Sequence, residues 1–222
     1  MESNGLNFWL QFDPSDWRYA HGAAIVSFLN YLNKESDQFV LKGGTALMLC
    51  YGLKRFSEDI DLDCRKQDIK EIVRRFCQAK GFEMRVAKDT PSVKRCYINY
   101  GQDQTPLKVE VSYRDQTLDS QQYPQINGIK VYSIEDLAIK KNSAYQGRDK
   151  IRDLFDLSFI CNHYLDQLSP TTIKTIRENV MYKGIEQFDF LLATQEDSLI
   201  NKDQLAVDFL EMHEKLGLLN DQ

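Results

Sequence analysis

The segment Phe56-Ser57-Glu58-Asp59-Ile60-Asp61-Leu62-Asp63 constrains what this chain can fold into more than any other stretch. Ile60, Leu62 and Cys64 alternate with Asp59, Asp61 and Asp63, and a period of two marks a β-strand with one apolar and one acidic face. Asp is a poor strand former, and three carboxylates on one side repel one another unless a cation sits among them. On a strand, Asp59 and Asp61 point the same way about 7 Å apart, close enough to hold one or two divalent cations. An EF-hand loop spaces its acids similarly. Here Cys64 stands where that loop needs Gly and Lys70 where it needs a bidentate Glu, which excludes it. The plainer alternative is an acidic edge strand facing water.

Around this strand the periodicity predicts an α/β half. Trp17, Ala20, Ala24, Ile25, Phe28, Leu29 and Leu32 recur at helical spacing over residues 16–34, and residues 68–80 form a second amphipathic helix stopped by Gly81. Phe39-Val40-Leu41 runs into Gly43-Gly44-Thr45 and then Ala46-Leu47-Met48-Leu49, a strand, a tight turn and a helix. Strand patterns follow at 82–86, 95–100, 107–111 and 129–132, with a turn between Gly101 and Pro106. Ser133 and Asp136 form a capping box, and the chain is helical in character from there on. The predicted organisation is an α+β fold, with an α/β domain over 1–132 and a helical domain over 133–222.

Composition narrows the function. Hydrophobic residues make up 42% and charged residues 27% of 222, which fits a folded globular chain rather than a disordered or membrane-spanning one. Met1 leads into a polar segment with no apolar run, so the expected location is the cytoplasm, neither secreted nor membrane-anchored. The 5 cysteines are odd in number and scattered without a CxxC, the pattern of reduced thiols. A formal charge of -5 argues against indiscriminate coating of nucleic acid, so any such contact is local. Residues 65–95 carry ten basic against four acidic side chains, 140–152 carry five against one, and 186–222 carry two against nine. These runs read either as solvated faces or as a basic cleft for phosphates or RNA with an acidic surface for a basic partner.

Further candidates surround the acidic strand. Gly43 and Gly44 let backbone amides approach a phosphate, with Thr45 at the start of the next helix; a turn that merely needs positive φ explains them equally well. The motif is neither a Walker P-loop nor GxGxxG. Glu110 shares a strand face with Lys108 in Lys108-Val109-Glu110-Val111, either as a third metal carboxylate or in a cross-strand ion pair. Lys140 and Lys141 cannot both face one site on a helix, so at most one is a phosphate ligand. Asp153 and Asp156 share a helix face, and Arg148, Lys150 or Arg152 is the expected ion-pair partner.

Taken together, Lys42-Gly43-Gly44-Thr45-Ala46-Leu47, Tyr51 to Leu62, Lys108-Val109-Glu110, Asp136 to Lys140 and Arg148 to Leu157 resemble, in that order, the AbiEii/AbiGii-type toxin family of nucleotidyltransferase-like proteins, within the DNA polymerase beta-type superfamily. The resemblance covers roughly residues 36–165. It implies a nucleotidyltransferase-like mixed sheet with flanking helices, followed by a helical domain closing the cleft. It also implies an Mg²⁺-dependent toxin of a toxin-antitoxin or abortive-infection system, with an NTP substrate, an RNA acceptor, tRNA foremost, and an antitoxin encoded nearby. By resemblance Asp59, Asp61 and Glu110 are the metal acids of a two-metal site. Gly43, Gly44, Thr45, Lys140, Arg152, Asp153 and Asp156 bind nucleotide or phosphate. Gly44 departs from the Ser many superfamily members carry, and Glu110 from the usual Asp. Transfer to a protein or small-molecule hydroxyl, a catalytically weak nucleotide-binding module, and γ-phosphate transfer are the competing readings.

Overall fold

The computed structural model describes residues 5–102 and 104–219, with side chains from Phe8 onward; Met1 and, within the expected 101–106 turn, Asp103 lie outside the described residues. The chain divides into two compact units, Met1–Tyr132 and Ser133–Gln222.

In the first unit Asp16 caps α1 (Trp17–Glu35) by accepting from the Arg18 amide. Strand β1 (Val40–Lys42) runs straight into α2 (Gly43–Tyr51), so the two glycines form the first turn of a helix rather than a separate loop. Strand β2 (Ile60–Asp63) is followed by α3 (Ile69–Lys80), capped by Asp68 and closed by Gly81. Then come β3 (Glu83–Asp89), β4 (Val93–Asn99) and β5 (Leu107–Ser112). The sheet order is β1-β2-β5-β4-β3, with β2 and β5 parallel and every other pair antiparallel.

One face of this mixed sheet is apolar. Ile60, Leu62, Cys96, Ile98, Leu107, Val109 and Val111 are buried there with Ile25, Phe28 and Leu29 of α1 and Ile72, Val73 and Phe76 of α3. Burial of this kind contributes about 25 cal/mol per Å² of apolar surface and anchors the strands that carry the acids on their other face. The 129–132 pattern is shorter than expected: β7 (Ile129–Lys130) pairs with β6 (Gln125–Ile126), and Val131 makes an isolated parallel bridge to Leu41 of β1. The intervening Asn127-Gly128 has φ 54 and 78, the positive pair a tight two-residue hairpin demands.

The second unit is helical: α4 (Ile134–Gly147), α5 (Ile151–Tyr164), α6 (Pro170–Thr194) and α7 (Lys202–Lys215). The Ser133 hydroxyl accepts from the Asp136 amide at 3.1 Å, which caps α4 as expected. Helix α6 breaks at Gly184, whose φ of 66 only glycine adopts readily. All five cysteines are free thiols. Among the described residues no helix is long and apolar enough to cross a membrane.

Candidate active site

Strand register brings the acids together. Asp61 is paired with Lys42 of β1 on one side and with Glu110 of β5 on the other, and Glu110 in turn is paired with Arg95 of β4. Paired residues project to the same face, so Asp61 and Glu110 are lateral neighbours on the polar side of the sheet, with Asp59 one strand step before Asp61. The Gly43 turn closes this corner from above. A Cβ built on Gly43 would lie 3.2 Å from Asp61 Oδ2, and its φ of +77 is left-handed, so space and backbone both select glycine.

The carboxylates differ in environment. Burial pushes the Asp61 carboxyl above its ordinary range; Lys108 opposes this, and Asp59 and Glu110 add to it. Asp59 accepts from Lys108 Nζ at 2.5 Å, and Glu110 accepts from Arg95 Nε at 2.5 Å. Burial alone would depress the Lys108 ammonium, but its hydrogen bond to Asp59 and the nearby Asp61 and Glu110 raise it. Asp63 is buried, bonded to Lys42, and accepts from the Tyr132 hydroxyl at 2.8 Å, so its charge is committed to the structure. The mutual repulsion expected along Asp59, Asp61 and Asp63 is thus relieved in part by two of the protein's own lysines. Among the described residues no three His, Cys, Asp or Glu side chains close into a metal cage. The donor set still fits a hard divalent cation: carboxylate oxygens on one face, with Asp61 where burial disfavours its bare charge.

The rest of the glycine motif serves this corner from beneath. Thr45 is buried; its hydroxyl donates to the Asp59 carbonyl and lies 3.0 Å from Ser57 Oγ, which ties α2 to the approach of β2. The other side of that approach is held by His21. Its Nε2 donates to the Glu58 carbonyl at 2.7 Å, since a carbonyl only accepts, and its Nδ1 lies 2.7 Å from the Tyr100 hydroxyl. His21, to which the sequence assigns no chemistry, is therefore a brace for the acidic strand. Gly44 has a different neighbour: a Cβ there would come within 2.6 Å of Arg55 Nη2 and 2.8 Å of Ser57 Oγ. The buried Arg55 guanidinium fills the space that a serine side chain would need at this position, which explains the departure from Ser.

In the helical unit a lysine joins the expected ion pairs. Arg148 pairs with Asp153 through two bonds of 2.6 and 3.0 Å, as anticipated. Lys141 bonds Asp156 at 2.5 Å and lies 3.8 Å from Asp153, and Arg152 pairs with Asp197. Asp153 and Asp156 are 2% and 0% exposed, so these acids are structural in their packing. Lys140 is exposed on α4. The signal for Lys141 is present in the sequence: it lies four residues from both Leu137 and Tyr145, on the buried stripe of the helix.

A mixed sheet with paired carboxylates beside a glycine turn defines a nucleotidyltransferase-type fold, and comparison with known proteins agrees. The family model described as "Nucleotidyl transferase AbiEii toxin, Type IV TA system" matches residues 27–221, and the chain belongs to that family. It is a nucleotidyltransferase of the toxin type. The crystal structure of JHP933 from Helicobacter pylori is similar at a TM-score of 0.76 and 30% identity, with 91% of each chain covered. A second Helicobacter pylori structure, described as a nucleotidyltransferase, gives 0.74 and 28%, covering 91% of this chain and 96% of that one. MenT4, a nucleotidyltransferase toxin from Mycobacterium tuberculosis, shares the fold at 0.56 and 17% identity, over 98% of this chain and 89% of its own. No curated protein matches the chain in sequence.

Proposed function

We propose that this chain transfers a nucleoside monophosphate from an NTP to a hydroxyl of an RNA acceptor, tRNA foremost, within the cytoplasm, and that an antitoxin encoded nearby counteracts the resulting arrest. The observation that carries the reading is the alignment of Asp59, Asp61 and Glu110 on one sheet face, with Asp61 directly beneath the Gly43 turn. Asp59, Asp61 and Glu110 are the residues that would hold Mg²⁺. When bound, the ion supplies charge neutralisation at the triphosphate and acidifies the attacking hydroxyl.

The chain's own groups do the rest. The Gly43 backbone, with no Cβ in the way, admits a phosphate close to the start of α2, where the helix dipole favours negative charge. Thr45 and His21 fix the backbone around Asp59 and so set the aim of its carboxylate. Lys108 holds Asp59 in a bonded position and lies close enough to share its charge with incoming phosphate oxygens. In the helical unit Lys140 is the assigned phosphate ligand, whereas Asp153, Asp156 and Arg152 act by holding helices α4 and α5 and the segment around Asp197.

The test incubates the protein and its Asp61→Asn variant with Mg²⁺, each α-labelled NTP and total RNA. Label in RNA with the native protein alone is the expected result and names the base. Label in protein replaces the acceptor, and a labelled nucleoside diphosphate in place of released pyrophosphate replaces the reaction.

A further inference from the structure

The polar face of the sheet continues beyond the carboxylates. From Asp61 and Glu110 the register runs outward to Arg95 of β4 and Lys88 of β3. A second row starts at Lys108, which is bonded to Asp59, and runs through Tyr97 of β4 to Arg85 of β3. The register shift between Val86 and Lys88 is what puts both Arg85 and Lys88 on this face of the edge strand, because an extra residue reverses the side-chain alternation. Arg85 and Lys88 are exposed and Tyr97 is half-buried, while Cys96 and Ile98 beside them are buried on the opposite face.

At the centre of the strip the Arg85 guanidinium lies over the Tyr97 ring, 4.5 Å from its centroid. Ring and guanidinium together make a layered planar platform, and both planes stack on unpaired bases. Lys88 supplies a cation at the outer edge for a connecting phosphate, while Arg95 and Lys108, bonded to Glu110 and Asp59, offset the charge of the acids at the inner end. Adjacent strands are spaced about 4.8 Å apart, so the platform stands about 10 Å from the Asp59 corner, the reach of a short unpaired chain end. On a chain of net charge -5, a local cationic strip with an aromatic centre leading to the acids is selective for one kind of partner.

Resting on the transferase reading above, we propose that the exposed face of β3, β4 and β5, with Tyr97 under Arg85 at its centre, is the track on which the single-stranded end of the acceptor RNA lies as its terminal hydroxyl reaches the carboxylates. Stacking makes the track tolerant of base identity, and the cations make it salt-dependent. Duplex RNA keeps its bases paired and gains only the phosphate contacts.

The experiment measures the anisotropy of a short fluorescein-labelled single-stranded RNA bound to the full chain, on an Asp61→Asn background so that no transfer occurs. Tyr97→Ala and Arg85→Ala are expected to raise Kd by about tenfold each, and Tyr97→Phe to keep native affinity. Arg74→Ala, which removes a comparable exposed cation from α3, is expected to leave Kd unchanged. In the active background the same Tyr97→Ala change raises KM for RNA and leaves KM for NTP alone. Native RNA affinity in Tyr97→Ala, or a rise in KM for NTP instead, overturns the track even when label still enters RNA. Label entering protein overturns the acceptor reading and with it the acceptor track, whereas label in RNA with Tyr97-independent binding overturns the track alone.

Discussion

Two groups of acids, one in each unit, sit in opposite surroundings. Asp153 and Asp156 are sealed in the helical unit against Arg148 and Lys141, with 2% and 0% of their surface exposed. Asp59, Asp61 and Glu110 stand on the open face of a sheet, where Lys108 and Arg95 reach the outer two and Asp61 is left in an environment that disfavours its charge. A buried acid with a matched cation is part of the scaffold, because removing it strands its partner in a medium that cannot solvate it. An acid held close to like charges under an open glycine turn is poised to receive a cation from outside.

The sharpest way to break this contrast is to neutralise one acid of each kind. On the proposed reading Asp61→Asn is expected to lower transfer by about a thousandfold, since an acid that holds the metal supports several kcal/mol of transition-state stabilisation. Its thermal midpoint should equal or exceed that of the native protein, because a raised carboxyl pKa means that the ionised form costs stability at neutral pH. A clear fall in Tm would move Asp61 into the structural group. Asp156→Ala should do the reverse, costing about 3–5 kcal/mol in urea unfolding by leaving Lys141 with Asp153 alone, 3.8 Å away. A near-native midpoint for that variant would show that the helical pair is dispensable.

Gly44→Ala tests the corner itself. The added Cβ meets Arg55 at 2.6 Å, and a loss of about 1–3 kcal/mol is expected. Unchanged stability would mean that Arg55 moves aside without cost. The smallest effect concerns pH. Burial holds the His213 imidazole below its ordinary 6.5, only partly offset by its bond to the Phe209 carbonyl. The unfolded chain therefore binds the proton more readily, so stability present above about 6.5 is lost as the pH falls through the folded value. Replacing His213 with Gln should flatten the Tm profile over that range, and an unaltered profile would assign the acid sensitivity elsewhere.

Alternation in Ile60 to Cys64, the amphipathic stripes of residues 16–34 and 68–80, and the Ser133 cap follow from local periodicity and turn chemistry, and each forms the predicted element. The Asn127-Gly128 hairpin was equally available from local turn preferences, since those residues tolerate positive φ. Partner choice was a different matter. Several cations stood within sequence reach of each acid, and only the pairing of β5 between β2 and β4 decided that Arg95 meets Glu110 and Lys108 meets Asp59. Likewise Arg148, Lys150 and Arg152 are equivalent in composition, yet Arg148 faces Asp153 while Arg152 turns to Asp197.

By itself the sequence determined the elements, the family and the residue types able to hold a cation, because backbone periodicity and motif order are local properties of the chain. The tertiary structure alone decided which acids share a face, which are already neutralised, and that a buried guanidinium crowds Gly44. The first of these depends on strand register between residues about fifty positions apart, and the others on how side chains pack in space, quantities that no local pattern encodes.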